Sequence, residues 1–218
     1  VIVKDRDKSA WSRNMGVFGG ITFKAARPIV NKLFNSGFNP LDFLQSKIYL
    51  ISFLDDFLDL YNNERIVVFD TETTGLNIDR DDDIIQIAAV ELIGGKIGHS
   101  FEVFIDTDLD FTEAEKIHHI SKEHLQQNAT DKNQALSDFI NFVNGDALVA
   151  HNLKFDCDIL NNNLSRVGLP LISSEIKTYD SVDIVKRLYP RLYRYKLGYL
   201  INVFELEGEN THNALDDV

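Results

Sequence analysis

The stretch VVFDTETTGL, residues 67–76, runs from an apolar strand directly into two acids that flank a threonine. Successive side chains of a strand point to opposite faces, so Asp70 and Glu72 are expected to project to the same side of a sheet and to lie close together. Two such carboxylates repel each other, and each raises the pKa of its neighbour. The pair therefore predicts a positively charged partner at the end of this strand.

The composition excludes several classes of protein. Of the 218 residues, 44% are hydrophobic and 26% are charged, which is typical of a globular domain. The most apolar window, residues 41–61, is interrupted by five charged side chains, so it predicts an amphipathic helix and no membrane partner. A single cysteine, Cys157, excludes a disulfide framework and fits a reducing compartment, and we therefore expect a cytoplasmic protein.

The charge is distributed unevenly along the chain. Residues 1–64 hold 8 basic and 7 acidic side chains, whereas residues 65–218 hold 14 basic and 27 acidic ones, a net charge near −13. Such a balance argues against a broad, sequence-independent grip on nucleic acid. Any contact between the second part and nucleic acid is expected to be local and to involve metal ions.

The hydrophobic periodicity changes near residue 64. Residues 1–64 are predicted to be mainly helical, with helices near 28–35 and from residue 41 onward, where apolar residues recur at spacings of three and four. Beyond that point, strands are predicted over 65–71, 84–93, 96–105 and 146–150, and helices over 112–119, 132–143, 155–167, 181–188 and 196–204. A meander of strands joined at Gly94-Gly95, followed by alternating strands and helices, predicts an α/β fold with a mixed sheet flanked by helices.

Two later segments repeat the pattern of a polar residue and an acid at the start of a helix. In HNLKFD, residues 151–156, Asn152 is a candidate helix cap and Asp156 falls in the first turns; in THNALDDV, residues 211–218, Asn213 is the candidate cap. Oxygen ligands select hard divalent cations, and a histidine can take a proton from water. The candidate set is Asp70, Glu72, Asp156 and Asp217, with His212 as a base, around two Mg²⁺ or Mn²⁺ ions.

DTETTGL, HNxxFD and HNALDD, in this order, resemble the three motifs of the DEDDh exonucleases, a family that includes the proofreading subunit of bacterial DNA polymerase III. IHHISKEHL, residues 117–125, is similar to the family's IHGI segment, so the resemblance covers about residues 65–218. It implies a ribonuclease-H-like fold and a 3′–5′ exonuclease that uses two metal ions. It also implies that His212 is the general base and that Asp217, five residues later, is the last acid.

The resemblance further implies a nucleotide-binding set around the acids. Thr73, Thr74 and Leu76 are expected to hold the terminal nucleotide, with the backbone at Gly75 in close approach because glycine has no Cβ. The flanking residues are expected to be His151, Asn152 and Phe155. The implied partner is a single-stranded 3′ end, with DNA favoured over RNA.

The ends of the chain differ from the family pattern. The family continues with a helix beyond Asp217, so we expect the exonuclease domain, residues 65–218, to be truncated at its C-terminus. Residues 1–64 are expected to form a helical segment of a larger host protein. A polymerase or a helicase, in the same polypeptide or complex, is the expected partner.

Three questions stay open from the sequence alone. The motifs do not separate a DNA exonuclease from an exoribonuclease, and a nucleic-acid-binding module that is inactive outside its host protein is a further alternative. The segment KRLYPRLYRYK, residues 186–196, interleaves five basic residues with three tyrosines. It is equally consistent with a surface that grips a nucleic-acid strand and with packed tyrosines beside solvated charges.

Overall fold

The structure, a computed structural model, describes residues 53–76, 82–173, 175–206 and 213–218. The helices predicted before residue 53 lie outside the described residues. Helical residues 53–63, here called α1, cover the last part of the second predicted helix. Among the described residues, no helix is both long and apolar enough to cross a membrane.

A mixed sheet organises the described chain, as predicted. Its strand order is β3-β2-β1-β4-β5, with antiparallel β1/β2 and β2/β3 pairs and parallel β1/β4 and β4/β5 pairs. The strands are β1 (Arg65–Thr73), β2 (Ile84–Ile93), β3 (Lys96–Phe104), β4 (Ala147–Ala150) and β5 (Thr178–Asp180). The sequence did not predict β5, because three residues are too few to show an alternating pattern.

The β2–β3 hairpin turns at Gly94 and Gly95, as predicted. Both glycines have positive φ, 55° and 71°, which side chains disfavour and a two-residue hairpin turn requires. A Cβ on Gly95 would lie 2.7 Å from the ring of Tyr61, whose hydroxyl donates to the Gly95 carbonyl at 3.2 Å. The hairpin therefore also forms a docking point for α1.

Helices cover the sheet, in agreement with the predicted layers. After α1, they are α2 (Thr112–His118), α3 (Lys122–Asn128), α4 (Lys132–Val143), α5 (Leu153–Arg166), α6 (Ser181–Leu188), α7 (Leu197–Phe204) and α8 (Ala214–Asp217). The sequence did not predict α3, which is capped by the Ser121 hydroxyl accepting from the His124 amide at 3.1 Å. Its short, polar sequence shows little apolar periodicity.

The main core lies between the sheet and helices α4 and α5. Phe69 of β1 stacks on Phe139 of α4 with ring centroids 5.5 Å apart, and both side chains are fully buried together with Leu136, Ile159 and Leu160. Because the rings fill one face of β1, the acids that alternate with Phe69 emerge on the other face. The packing thus fixes the register on which the candidate site depends.

The turns of α1 nearest to β1 pack against the sheet. Leu60 is buried, and the ring of Phe57 lies 5.1 Å from that of Tyr179 on β5. Residues 54–64 belong to the same compact unit as the sheet, Leu54–Val218. The division of the chain into a segment 1–64 and a domain 65–218 stays a prediction.

Candidate active site

Three of the predicted acids meet at the end of β1. Asp70 and Glu72 lie two residues apart on one face of the strand, and Asp217 reaches them from α8. One carboxylate oxygen from each residue lies within 4.8 Å of the other two. The sequence separates Glu72 from Asp217 by more than a hundred residues, so this meeting is a product of the fold.

Helix α8 is held in place by Gln86, a fully buried residue of β2. The Gln86 carboxamide oxygen accepts from the Ala214 amide at 3.2 Å, and its nitrogen donates to Glu102 at 2.8 Å and to the Asn213 side-chain oxygen at 3.5 Å. Asn213 also caps α8 as predicted, since the same oxygen accepts from the Leu215 amide at 3.0 Å. Asp217 therefore owes its position to a polar residue in the sheet.

The fourth predicted acid, Asp156, is buried in the first turns of α5. The Thr71 hydroxyl donates to its carboxylate at 2.7 Å, which ties α5 to β1 between Asp70 and Glu72. Among the described residues, Asp156 is not part of the group whose oxygens all lie within 4.8 Å of one another. It is nevertheless close enough for its charge to raise the pKa values of Asp70 and Glu72.

Burial and neighbouring charges disfavour the ionised forms of three of these acids. Burial, followed by the repulsion of Asp156, Glu72 and Asp217, raises the pKa of Asp70 to about 9. Burial and the charges of Asp217 and Asp156 raise the pKa of Glu72 to about 8. Burial also raises the pKa of Asp156 to about 7, against the hydrogen bond from Thr71. A bound cation would reverse these shifts, because an opposite charge favours the ionised form.

The donor set fits hard divalent metal ions. It consists of carboxylate oxygens from four side chains, and three of these oxygens already lie within 4.8 Å of one another. Mg²⁺ and Mn²⁺ prefer such ligands, whereas Zn²⁺ and Cu²⁺ favour nitrogen or sulfur. These partly buried, closely spaced acids are thus suited to hold cations, as the pair Asp70 and Glu72 predicts.

The turn that follows β1 is tied together by its own threonines. The Thr73 hydroxyl donates to the Gly75 carbonyl at 2.7 Å, and the Thr74 hydroxyl donates to Asp82 at 3.1 Å and accepts from the Asp83 amide at 2.9 Å. A Cβ on Gly75 would lie 2.7 Å from the Asp82 carboxylate, so a side chain here would displace that carboxylate. Close approach of a nucleotide, the reason expected from the sequence for this glycine, stays a prediction.

Leu76 lies at the edge of this turn with 78% of its side chain exposed. An exposed leucine beside an acidic site offers an apolar surface to a base or sugar. Its contact with a nucleotide stays a prediction, as do those of Thr73, Thr74 and Gly75.

His151 and Asn152 connect β4 with α5 and face the start of α6. The Nδ1 atom of His151 lies 2.9 Å from the Ser181 hydroxyl, and the Asn152 amide donates to Asp180 at 3.1 Å. Burial lowers the pKa of His151, against the raising effects of Asp180, of a hydrogen bond to the Tyr195 backbone and of Asp217. His151 thus lies between the acid cluster and the segment around Tyr195.

The prediction that the Asn152 side chain caps α5 was wrong. Asn152 occupies the position before the helix, but it has a φ of +70° and its side chain makes no capping hydrogen bond. The amide is instead held by Asp180, which lies 28 residues further along the chain. Phe155, the last of the predicted nucleotide-binding residues, is partly buried against the main core.

The predicted base, His212, lies outside the described residues, and so does the side chain of Asp216. His212 precedes the first residue of α8, Ala214, by two positions in the sequence. The assignment of the base therefore stays a prediction. Asp217, which the motif spacing favoured over its neighbour, joins Asp70 and Glu72 in the cluster.

Sequence reasoning missed two residues that build the site. Gln86 is the one polar side chain in the run IIQIAAV, residues 84–90, and a polar residue inside an apolar strand signals a buried hydrogen-bonding role. Asp180 ends β5 and accepts from the amides of both Asn152 and Val182, which joins the starts of α5 and α6. Its signal was an acid followed by serine at the start of a helix.

The sequence is similar to known exonuclease domains. Residues 67–218 match the family model described as Exonuclease. A PolC-type DNA polymerase III of Lactococcus lactis is 36% identical over 158 residues, which are 72% of this chain and 9% of that protein. A PolC-type DNA polymerase III of Clostridium perfringens is 33% identical over 159 residues, which are 71% of this chain and 10% of that protein. The chain thus spans about a tenth of the length of these relatives.

Solved structures share the fold. Exonuclease I of E. coli in complex with a dA16 oligonucleotide superposes with a TM-score of 0.64 at 17% identity, over 71% of this chain and 38% of that chain. A moderately thermophilic exonuclease I from Methylocaldum szegediense gives a TM-score of 0.61 at 18% identity, over 71% of this chain and 38% of that chain. The predicted ribonuclease-H-like fold is therefore confirmed.

Proposed function

The chain belongs to the exonuclease family, and from that premise we propose that it is a metal-dependent 3′–5′ exonuclease domain. It hydrolyses the terminal phosphodiester of single-stranded or frayed DNA ends and releases nucleoside monophosphates. The observation that carries the proposal is the meeting of Asp70, Glu72 and Asp217, whose carboxylate oxygens lie within 4.8 Å of one another. Partly buried acids that lie this close together are costly without a cation.

Asp70, Glu72, Asp156 and Asp217 are the residues that would hold two Mg²⁺ or Mn²⁺ ions. When bound, such ions lower the pKa of water and stabilise the charge that develops on the attacking and leaving oxygens. The protein supplies the geometry: Thr71 holds Asp156 at 2.7 Å, and Gln86 holds α8 and hence Asp217. Both supports are hydrogen bonds between buried groups.

The remaining roles belong to residues around the cluster. His212 accepts the proton of the attacking water, as its place in the third motif implies. The turn Thr73–Leu76 holds the terminal nucleotide, and its hydrogen bonds to Asp82 and Asp83 make it rigid before the substrate arrives. His151, Asn152 and Phe155 flank the nucleotide, as the resemblance implies. Contacts of this kind need not read the base, which suits an enzyme that must accept any nucleotide.

DNA is the proposed substrate because the relatives named above are DNA polymerases and the exonuclease I structure contains a dA16 oligonucleotide. A polymerase in the same polypeptide or complex is the proposed partner, and replication proofreading or repair the proposed context. Residues 1–64 would then form a helical segment that precedes the exonuclease domain. The single cysteine is consistent with a cytoplasmic location.

The test is degradation of a 5′-labelled single-stranded DNA oligomer by the 218-residue chain with Mg²⁺ or Mn²⁺. A ladder that shortens from the 3′ end, with nucleoside monophosphate as the product, is the expected result. Asp70→Asn should abolish it, and His212→Gln should lower kcat about 10²-fold or more and remove the acidic limb of the pH–rate profile. Shortening from the 5′ end, or undiminished activity of Asp70→Asn, would contradict the proposal.

A matched RNA oligomer in the same assay decides between the two substrates. A higher kcat/KM on DNA is expected, and the reverse result would make the protein an exoribonuclease. An inactive binding module would bind the oligomer without shortening it, and metal would then give no synergy with nucleoside monophosphate in calorimetry.

A further inference from the structure

Residues 186–196, KRLYPRLYRYK, here called the basic-tyrosine segment, run from the end of α6 to the start of α7. The segment holds 5 of the 14 basic residues of the chain from residue 65 onward, where the acids number 27. No acid occurs between Asp183 and Glu205. The segment is therefore a positively charged part of an otherwise acidic domain.

Tyr193 fits the strand-binding interpretation, one of the two that the sequence left open. Tyr193 is 80% exposed, so it does not pack in a core, and the Arg194 guanidinium lies 5.1 Å from its ring centroid. Arg191 and Lys196 are exposed as well. An aromatic ring and several cations directed at water are typical of a surface that binds single-stranded nucleic acid.

Its own contacts hold the segment in shape. The Tyr195 hydroxyl donates to the Tyr189 carbonyl at 2.9 Å, and the Lys186 ammonium lies 5.7 Å from the Tyr195 ring centroid. Tyr189 packs on Phe204 of α7 with ring centroids 4.8 Å apart. These contacts hold the segment in one conformation, in which the Tyr193 ring is exposed to solvent.

Helix α6, which leads into the segment, begins beside the active site. Burial lowers the pKa of His151, and the nearby Tyr195 backbone and Asp217 raise it. His151 also contacts Ser181, the first residue of α6, at 2.9 Å. From Ser181, α6 extends for eight residues, about 12 Å at about 1.5 Å per residue, and its last turn is the start of the basic-tyrosine segment. The helix therefore connects the surroundings of the acids with the segment.

We propose that the basic-tyrosine segment binds the single strand on the 5′ side of the nucleotide being removed, with Arg191 and Arg194 on phosphates and Tyr193 stacked on a base. The inference rests on the proposed function, because it assumes that the 3′ end lies at the acids. Phosphate contacts and stacking are independent of sequence, so the segment serves a substrate whose bases change with every cycle. It also offsets the repulsion between the acidic domain and the phosphates.

Charge removal tests the phosphate contacts. Arg191→Gln/Arg194→Gln should raise KM for a single-stranded 12-mer about tenfold, while the KM for a dinucleotide, which has only one nucleotide on the 5′ side, changes by a smaller factor. The matched control is Lys96→Gln/Lys177→Gln, which removes two exposed charges at the opposite end of the strands. The control should leave both KM values unchanged. Equal effects of the two double variants on the 12-mer would overturn the proposal.

Stacking is tested at Tyr193. Tyr193→Ala should weaken 12-mer binding about fivefold or more, the lower bound for one stacked base, whereas Tyr193→Phe should stay within about twofold of the parent. Equal loss in both variants would assign the effect to the hydroxyl and overturn the stacking contact.

Binding without turnover separates this inference from the proposed function. In an Asp70→Asn background, fluorescence anisotropy of a 5′-labelled 12-mer at several salt concentrations should give a slope of log K against log[salt] that is shallower by about 1.4 in the double arginine variant, about 0.7 per lost phosphate contact. An unchanged slope overturns the segment's role even if the parent is an active exonuclease. A reduced slope with an inactive parent supports the binding surface and contradicts only the proposed function.

Discussion

Replacement of Asp70 by asparagine should stabilise the metal-free protein at neutral pH although it removes the activity. Burial, with the repulsion of neighbouring acids, raises the pKa of Asp70 to about 9, whereas an aspartate in an unfolded chain has a pKa of about 3.9. Between these values the folded protein retains a proton that the unfolded chain has lost. The free energy of unfolding therefore falls as the pH rises, by about 1.4 kcal/mol per pH unit for this group.

Asparagine does not titrate, so the free energy of unfolding of the variant lacks this dependence on pH. From pH 5 to pH 7, the advantage of Asp70→Asn over the parent should grow by about 3 kcal/mol. Urea unfolding in EDTA, followed by far-UV circular dichroism at pH 5, 6 and 7, measures this difference. The control is Asp108→Asn, which removes one charge from an exposed loop residue. The difference in free energy of unfolding between this variant and the parent should stay constant over the three pH values.

Metal should reduce this difference in stability. At about 100 times its dissociation constant, Mn²⁺ adds about 2.7 kcal/mol to a protein that binds it only when folded. The parent should gain this stability and Asp70→Asn should gain little of it. Two results would refute the view that partly buried, mutually repelling carboxylates form the cation site. One is a difference in free energy of unfolding between the two proteins that is constant from pH 5 to pH 7, and the other is an equal gain in stability from Mn²⁺.

Three further substitutions test how the site is built. Gly75→Ala would place a Cβ 2.7 Å from the Asp82 carboxylate, so it should lower stability by about 1 kcal/mol in urea unfolding and raise the KM for the oligomer. Gln86→Leu leaves the Ala214 amide without its acceptor, so kcat should fall at least about tenfold while far-UV circular dichroism is unchanged; full activity would contradict the docking of α8. Asn152→Gly should unfold at the same or a higher urea concentration than the parent, because no side-chain cap is lost and φ is +70°, whereas Asn152→Ala should lose about 1 kcal/mol.

Strong local patterns made most of the fold predictable. The strand over 84–93, the hairpin at Gly94-Gly95 and the helix over 181–188 were predicted with the bounds that the structure gives. Strand β5 and helix α3 were missed because each is short and depends on tertiary contacts. The buried Tyr179 fixes β5 beside β4, and no run of alternating residues announces it.

The acids of the site were predictable because carboxylates are unusual at their positions in the sequence. The residues that hold these acids in place were not predictable. Two carboxylates on one face of an apolar strand demand an explanation from the sequence alone. That Gln86 would hold the Ala214 amide, 128 residues away, depends on a contact that only the fold creates. The failure at Asn152 has the same origin, since a distant aspartate satisfies the amide and permits a left-handed backbone.

The charge balance of the site explains why an acidic domain can act on a polyanion. Four carboxylates carry four negative charges when ionised, and two divalent cations would cancel them, so the acids repel phosphate only while they are without metal. Beyond these four acids, residues 65–218 still hold 14 basic and 23 acidic side chains, a net charge near −9. A strand can therefore approach only where that excess is locally reversed. Among the described residues, the basic-tyrosine segment, whose Tyr195 backbone lies near His151, is such a place. Metal ions at the acids and arginines of the segment would therefore both attract the substrate.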